Sequence, residues 1–160
     1  MVKNSKNLLI KFIFFVSIIA LVSAFFIEYI LGHQPCNLCI LERIPYLLAI
    51  IIILLNFKFS HYEKFFILLL SIIFFAGAII SLYHLGIEQG FVQESLVCDL
   101  KSSSNLLSKE EILKQLQEKN VSCKDVTFKI FGLSLTSYNI LISLLITTST
   151  GKIYFSYEKN

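Results

Sequence analysis

Apolar residues run in long blocks along this chain rather than in the short, regularly spaced clusters of a water-soluble helix. The blocks lie near 8–31, 39–57, 65–85 and 131–148, each rich in Leu, Ile and Phe and nearly without Pro or Gly. A helix needs about 20 apolar residues to cross the hydrocarbon, and a chain in lipid must satisfy its own backbone hydrogen bonds. The pattern therefore predicts four membrane-spanning helices. Polar positions collect between them, in a short connection around 32–37, a turn before residue 65 and a long segment, 86–130. The expected architecture is all-α: one integral membrane domain over 1–160, a four-helix bundle with a short and a long loop at the same end and no internal repeat.

Composition agrees, since 56% of the 160 residues are hydrophobic and the mean hydropathy is +0.74, well beyond soluble domains. Charge then sets the orientation. Lys3, Lys6 and Lys11 precede or open the first block, Lys58 and Lys64 lie between the second and third, and Lys152 and Lys159 follow the fourth. Positively charged short loops stay in the cytoplasm, so both termini are expected there. The long loop, with six lysines against seven acidic residues, is expected outside, because long segments translocate largely regardless of charge. The small net charge of +3 is scattered and points to no nucleic acid. Val22, Ser23 and Ala24 imitate a leader-peptide cleavage site, but the apolar run continues past them, and the segment reads as a span.

On this topology all four cysteines face the outer side, where disulfides persist. Cys36 and Cys39 form a Cys-x-x-Cys in "HQPCNLCILERIPY". Pro35 suits a tight start to the second helix and puts Cys36 at its first turn, where unpaired N–H groups and the dipole favour a thiolate. Cys39 and Arg43 are four apart, one turn along one helix face. A guanidinium there favours ionised sulfur, the form active in thiol–disulfide exchange. Arg43 is also a suitable donor to a carbonyl oxygen of a lipid-soluble oxidant, although an interfacial arginine ordinarily just reaches for the surface. His84, in "LYHLGIEQG", ends the third block on the same side, and histidine's unperturbed pKa lies near neutrality, which suits proton delivery. A zinc site is not expected, because Cys98 and Cys123 lack the second close spacing of a four-cysteine site.

The long loop contains "SSSNLLSKEEILKQLQEK". Ser108 with Glu111 makes a capping box, Leu107 and Ile112 a hydrophobic staple, and Glu110 with Lys114 an i,i+4 pair, so a short helix over about 109–118 is expected. A Cys98–Cys123 bond would brace this excursion by about 3 kcal/mol. A flexible loop carrying a second pair would also permit relay by disulfide exchange. Four cysteines allow three connectivities.

The stretches "PCNLCILERIPY" and "YHLGIEQG", then Cys98, Cys123 and "FKIFGLSLTSYN", resemble the bacterial disulfide bond formation protein B (DsbB) family across all four blocks and both outer loops. The resemblance implies an inner-membrane thiol:quinone oxidoreductase. Such an enzyme reoxidises a periplasmic DsbA-like thioredoxin-fold partner and passes electrons to a membrane quinone, ubiquinone favoured over menaquinone. Carried onto this chain, Cys98 and Cys123 are the pair that meets the partner, with Cys98 forming the mixed disulfide, and Cys36 and Cys39 are the quinone-coupled pair. Cys39 approaches the quinone ring, Arg43 holds a quinone oxygen, and His84 corresponds to a polar residue near the quinone. Glu42 and Glu88 are given no role. The vitamin K epoxide reductase family shares these chemical elements but carries its Cys-x-x-Cys in a late helix. A non-catalytic assembly factor with two structural disulfides would leave quinone reduction indifferent to Cys39.

Overall fold

The computed structural model describes residues 2–93, 122–124, 129–130 and 132–158. Cys98 and the expected helix over 109–118 lie outside the described residues. Helix α1 covers Val2–Tyr29, α2 Asn37–Leu41, α3 Ile44–Lys58 and α4 Glu63–Glu88, with a 3-10 turn at Ser60–Tyr62 between the last two. A two-residue antiparallel ladder, β1 Lys129–Ile130 with β2 Leu133–Ser134, then leads into α5, Leu135–Glu158. Gly32 and Gly132 turn the chain after α1 and between the strands at φ +70° and +82°, a region that side chains with a Cβ avoid.

The second apolar block is not one helix, contrary to the sequence expectation. Pro45 has no N–H to give the carbonyl four residues back and its ring crowds that turn, so α2 cannot run into α3. The chain tightens instead, with the Arg43 N–H on the Ile40 carbonyl at 3.1 Å, and α3 restarts with proline in its first turn. The fourth block is also shifted: residues 133–134 are strand, the helix begins at Leu135, and it continues to Glu158 rather than stopping near 148.

Contacts fix how the helices run. Lys6 Nζ pairs with Glu63 at 2.6 Å, joining the starts of α1 and α4 at one end. Pro45 seats against Gly77, where a Cβ would lie 3.0 Å from its ring, so α3 and α4 approach closely and antiparallel, in the small-residue manner of membrane helices. Helix α5 returns along α4, with Thr136 on Glu88, Asn139 on Ser81 and Lys64 over the Tyr154 ring.

Ile10, Ile13, Tyr46, Ala49, Ile53, Leu70, Phe74 and Ile146 close the core. Ser17, Ser81, His84 and Ser143 are also buried, while Phe12, Phe15, Ile19, Leu54, Phe75, Leu82 and Leu145 face outward. Polar groups inside and large apolar ones outside is the arrangement of a chain solvated by lipid. Among the described residues three helical segments are long and apolar enough to cross a membrane, Lys6–Tyr29, Asn37–Lys58 and Glu63–Glu88. With α5 they make a multi-pass helical membrane protein.

Candidate active site

At the end of the bundle opposite the Lys6–Glu63 pair, the break between α2 and α3 faces the last turns of α4 and the first of α5. Cys36 caps α2, its sulfur accepting the Cys39 N–H at 3.2 Å. The two sulfurs are 2.6 Å apart and are not joined by a disulfide. Cys36 is buried beside Leu38, Ile87 and Cys123, with Cys39 packed on the same cluster.

The expected thiolate at Cys36 is not what this setting favours. Its thiol is raised above the ordinary cysteine value, first by the hydrogen bond it shares with Cys39 and then by burial, while His84 pulls the other way. The cap position supplies donors, but a neighbouring thiol sharing the proton outweighs them.

His84 stands 3.5 Å from the Cys36 sulfur through Nε2. Its Nδ1 lies 2.8 Å from Glu42 Oε1 and 3.2 Å from Thr136 Oγ1. The Thr136 hydroxyl donates to Glu88 Oε1 at 2.7 Å, so its lone pairs face the ring. A carboxylate and a hydroxyl oxygen on one side of a neutral imidazole put the proton on Nδ1 and leave Nε2 as acceptor toward Cys36. Asn139 holds the other end of Glu42. Its amide nitrogen donates to Glu42 Oε2 at 2.9 Å and to Ser81 Oγ at 2.8 Å, and its carbonyl oxygen accepts the Tyr46 hydroxyl. The polar atoms of this amide are thereby satisfied, as burial demands.

Arg43 lies beyond the Cys39 side of the break. It pairs with Glu28 of α1 at 2.5 Å and lies over the Phe25 ring, 5.3 Å from its centre. A cavity of about 650 Å³ opens between α1 and these groups. Ala20, Ser23 and Ala24 of α1 give it room, and Cys39, Arg43, Tyr46 and His84 form its polar wall.

The structure thus brings Cys36, Cys39, Cys123, Arg43 and His84 to one end of the bundle. Glu42 and Glu88, assigned nothing from sequence, both meet His84, Glu88 at 3.8 Å from Nε2. Glu28, Thr136 and Asn139 join the site as well, and local spacing in the sequence singles out none of them. Their only signal was a polar residue inside an apolar block, which in membranes marks a bundle-facing site.

The model of the family described as disulfide bond formation protein DsbB matches residues 6–151. An uncharacterized protein, RP370, of Rickettsia prowazekii (strain Madrid E) is 35% identical over 147 residues, spanning 91% of this chain and 86% of the relative. No solved structure matches significantly. With a family match over nearly the whole chain and a paired-cysteine centre at the end of a membrane bundle, the chain belongs to the DsbB family of membrane oxidoreductases that form disulfide bonds.

Proposed function

We propose that this protein is a thiol:quinone oxidoreductase of the bacterial inner membrane, with both termini cytoplasmic and the cysteine end periplasmic, and that it reoxidises a DsbA-like thiol oxidase. The observation that carries the reading is the placement of Cys39, Arg43 and His84 around one largely apolar cavity among the helices. A flat lipid-soluble ring suits such a site, which is mostly hydrocarbon with a few converging polar groups. Arg43 would hold a carbonyl oxygen and the α1 face the ring. A bound quinone supplies a two-electron, two-proton acceptor, so that two thiols become one disulfide and the quinone becomes its hydroquinone.

The chain's own residues manage the sulfur and proton chemistry. His84 Nε2 takes the Cys36 proton, making a thiolate in a place where the thiol is otherwise held protonated. Glu42 stabilises the imidazolium and keeps the ring's orientation, as the third member of a nucleophile–base–carboxylate set does. The Cys36 sulfur would then close on Cys39 as the Cys39 proton and the electron pair are given up to the acceptor. The packing of Cys123 in the Cys36 cluster supports a relay in which the re-formed Cys36–Cys39 bond oxidises the Cys98, Cys123 pair by exchange. That pair in turn oxidises the soluble partner, with Cys98 forming the mixed disulfide.

The test is ubiquinone reduction by purified protein supplied with a reduced thioredoxin-fold partner. Wild type turns over and Cys39→Ser does not; undiminished turnover in Cys39→Ser would overturn the mechanism. Menaquinone in a parallel arm identifies the preferred acceptor.

A further inference from the structure

The sulfurs of Cys36 and Cys39 and a ring nitrogen of His84 lie within 4.8 Å of one another. Around a tetrahedral zinc ion, bond lengths of about 2.3 Å to sulfur and about 2.0–2.1 Å to nitrogen put ligand atoms about 3.8 Å apart for two sulfurs and about 3.6 Å apart for sulfur and nitrogen. Cys36 and His84 Nε2 already stand at 3.5 Å. The sulfurs, at 2.6 Å, need only part by rotation of the half-buried Cys39 side chain.

Two further groups lie against His84. The Glu88 side chain is 7% exposed, and its Oε1 lies 3.8 Å from that same nitrogen, close to the roughly 3.4 Å separating nitrogen and oxygen ligands of tetrahedral zinc. Its second oxygen, Oε2, is buried without a hydrogen-bond partner among the described residues, a costly state for a carboxylate and one that a cation relieves. On the far side of the ring, Glu42 Oε1 accepts a hydrogen bond from Nδ1–H at 2.8 Å, the outer-shell contact that orients and strengthens a metal-binding histidine.

We propose that the reduced Cys36–Cys39 pair, with His84 Nε2 and the Glu88 carboxylate, is a site for one thiophilic divalent cation of the zinc class, and that occupancy inhibits the protein. Binding releases the two thiol protons and moves no electrons. The disulfide form offers no thiolate and does not bind, so the cation traps the centre reduced until it leaves.

The experiment uses the full chain in detergent with no quinone or thiol partner present, so its failure is separable from failure of the quinone reading. Cadmium is titrated into the reduced protein while the sulfur-to-cadmium charge-transfer absorbance is followed, and zinc is titrated by calorimetry. Reduced wild type is expected to take one equivalent at this site and oxidised wild type none there. Cys39→Ser loses the site, Cys98→Ser retains it, and His84→Ala and Glu88→Gln each weaken it at least about 10-fold, in the range seen for supporting groups of metal sites. Binding that persists in oxidised wild type or in Cys39→Ser, or that is lost in Cys98→Ser, would overturn the proposal. So would unchanged affinity in Glu88→Gln. Oxidised wild type is a folded control that requires no substitution.

Discussion

Glu42→Gln isolates the contribution of the histidine's orientation. Asn139 Nδ2 donates to Glu42 Oε2 at 2.9 Å and is itself held by Ser81 and Tyr46, so a glutamine at 42 must turn its carbonyl toward Asn139. Its NH2 then faces His84 Nδ1, which Glu42 Oε1 now meets at 2.8 Å. That donor forces Nδ1 to accept and moves the ring proton to Nε2, opposite the Cys36 sulfur. The base is lost although every side chain keeps its place. General-base assistance contributes about 10²–10⁴-fold, equivalent to about 3–5 kcal/mol of barrier at 1.36 kcal/mol per tenfold. Single-turnover quinone reduction by the pre-reduced protein should therefore slow by about that factor, with quinone KM little changed. Adding Asn139→Asp lets residue 139 accept the glutamine NH2, returns the carbonyl to His84 and should recover much of the rate. A Glu42→Gln protein within threefold of wild type, or a double variant slower than the single one, would refute the assignment.

Other outcomes follow from the same geometry. Arg43→Ala removes a charge-assisted donor worth about 1.5–3 kcal/mol and should raise quinone KM by about 10–100-fold; an unchanged KM would remove Arg43 from the quinone site. Gly77→Val drives a branched side chain into Pro45, where a Cβ alone already comes to 3.0 Å, whereas Gly151 faces open space. Unfolding in detergent should show a loss of about 1–3 kcal/mol for the former and little for Gly151→Val. Because the Cys36 thiol is raised from 9.0 in the fold, the reduced folded state keeps a proton that the unfolded chain gives up. This contribution to stability is complete below about pH 9 and declines as pH rises from there toward the folded value. Thermal melts of reduced wild type should steepen their decline above pH 9 relative to Cys36→Ala, and parallel curves would contradict a Cys36 thiol held protonated by Cys39 and by burial.

Hydropathy alone revealed the first three spans, because apolar length is what lipid selects. The break in the second was written in Pro45 but was overridden by the unbroken greasiness of "CILERIPYLLAIIIILL". The last helix starts at Leu135, later than hydropathy suggests, because Phe131 is apolar and Gly132 only hints at a turn. At the site, local spacing pointed to Cys36, Cys39, Arg43 and His84. It could not show Glu28 on Arg43 or Asn139 on Glu42, since those pairs join different helices across the bundle. Nor could it weigh the protonation of Cys36, where a dipole argument from one helix meets the proximity of a second thiol and a buried cluster.

Helix α5 carries Thr136, Ser137, Asn139, Ser143, Thr147, Thr148 and Thr150. Where it meets α4, Thr136 and Asn139 find Glu88 and Ser81, so this seam is solvated by protein groups rather than by lipid. A chain interrupted after α4 would leave Ser81, His84 and Glu88 without those partners, with nothing but hydrocarbon to meet them.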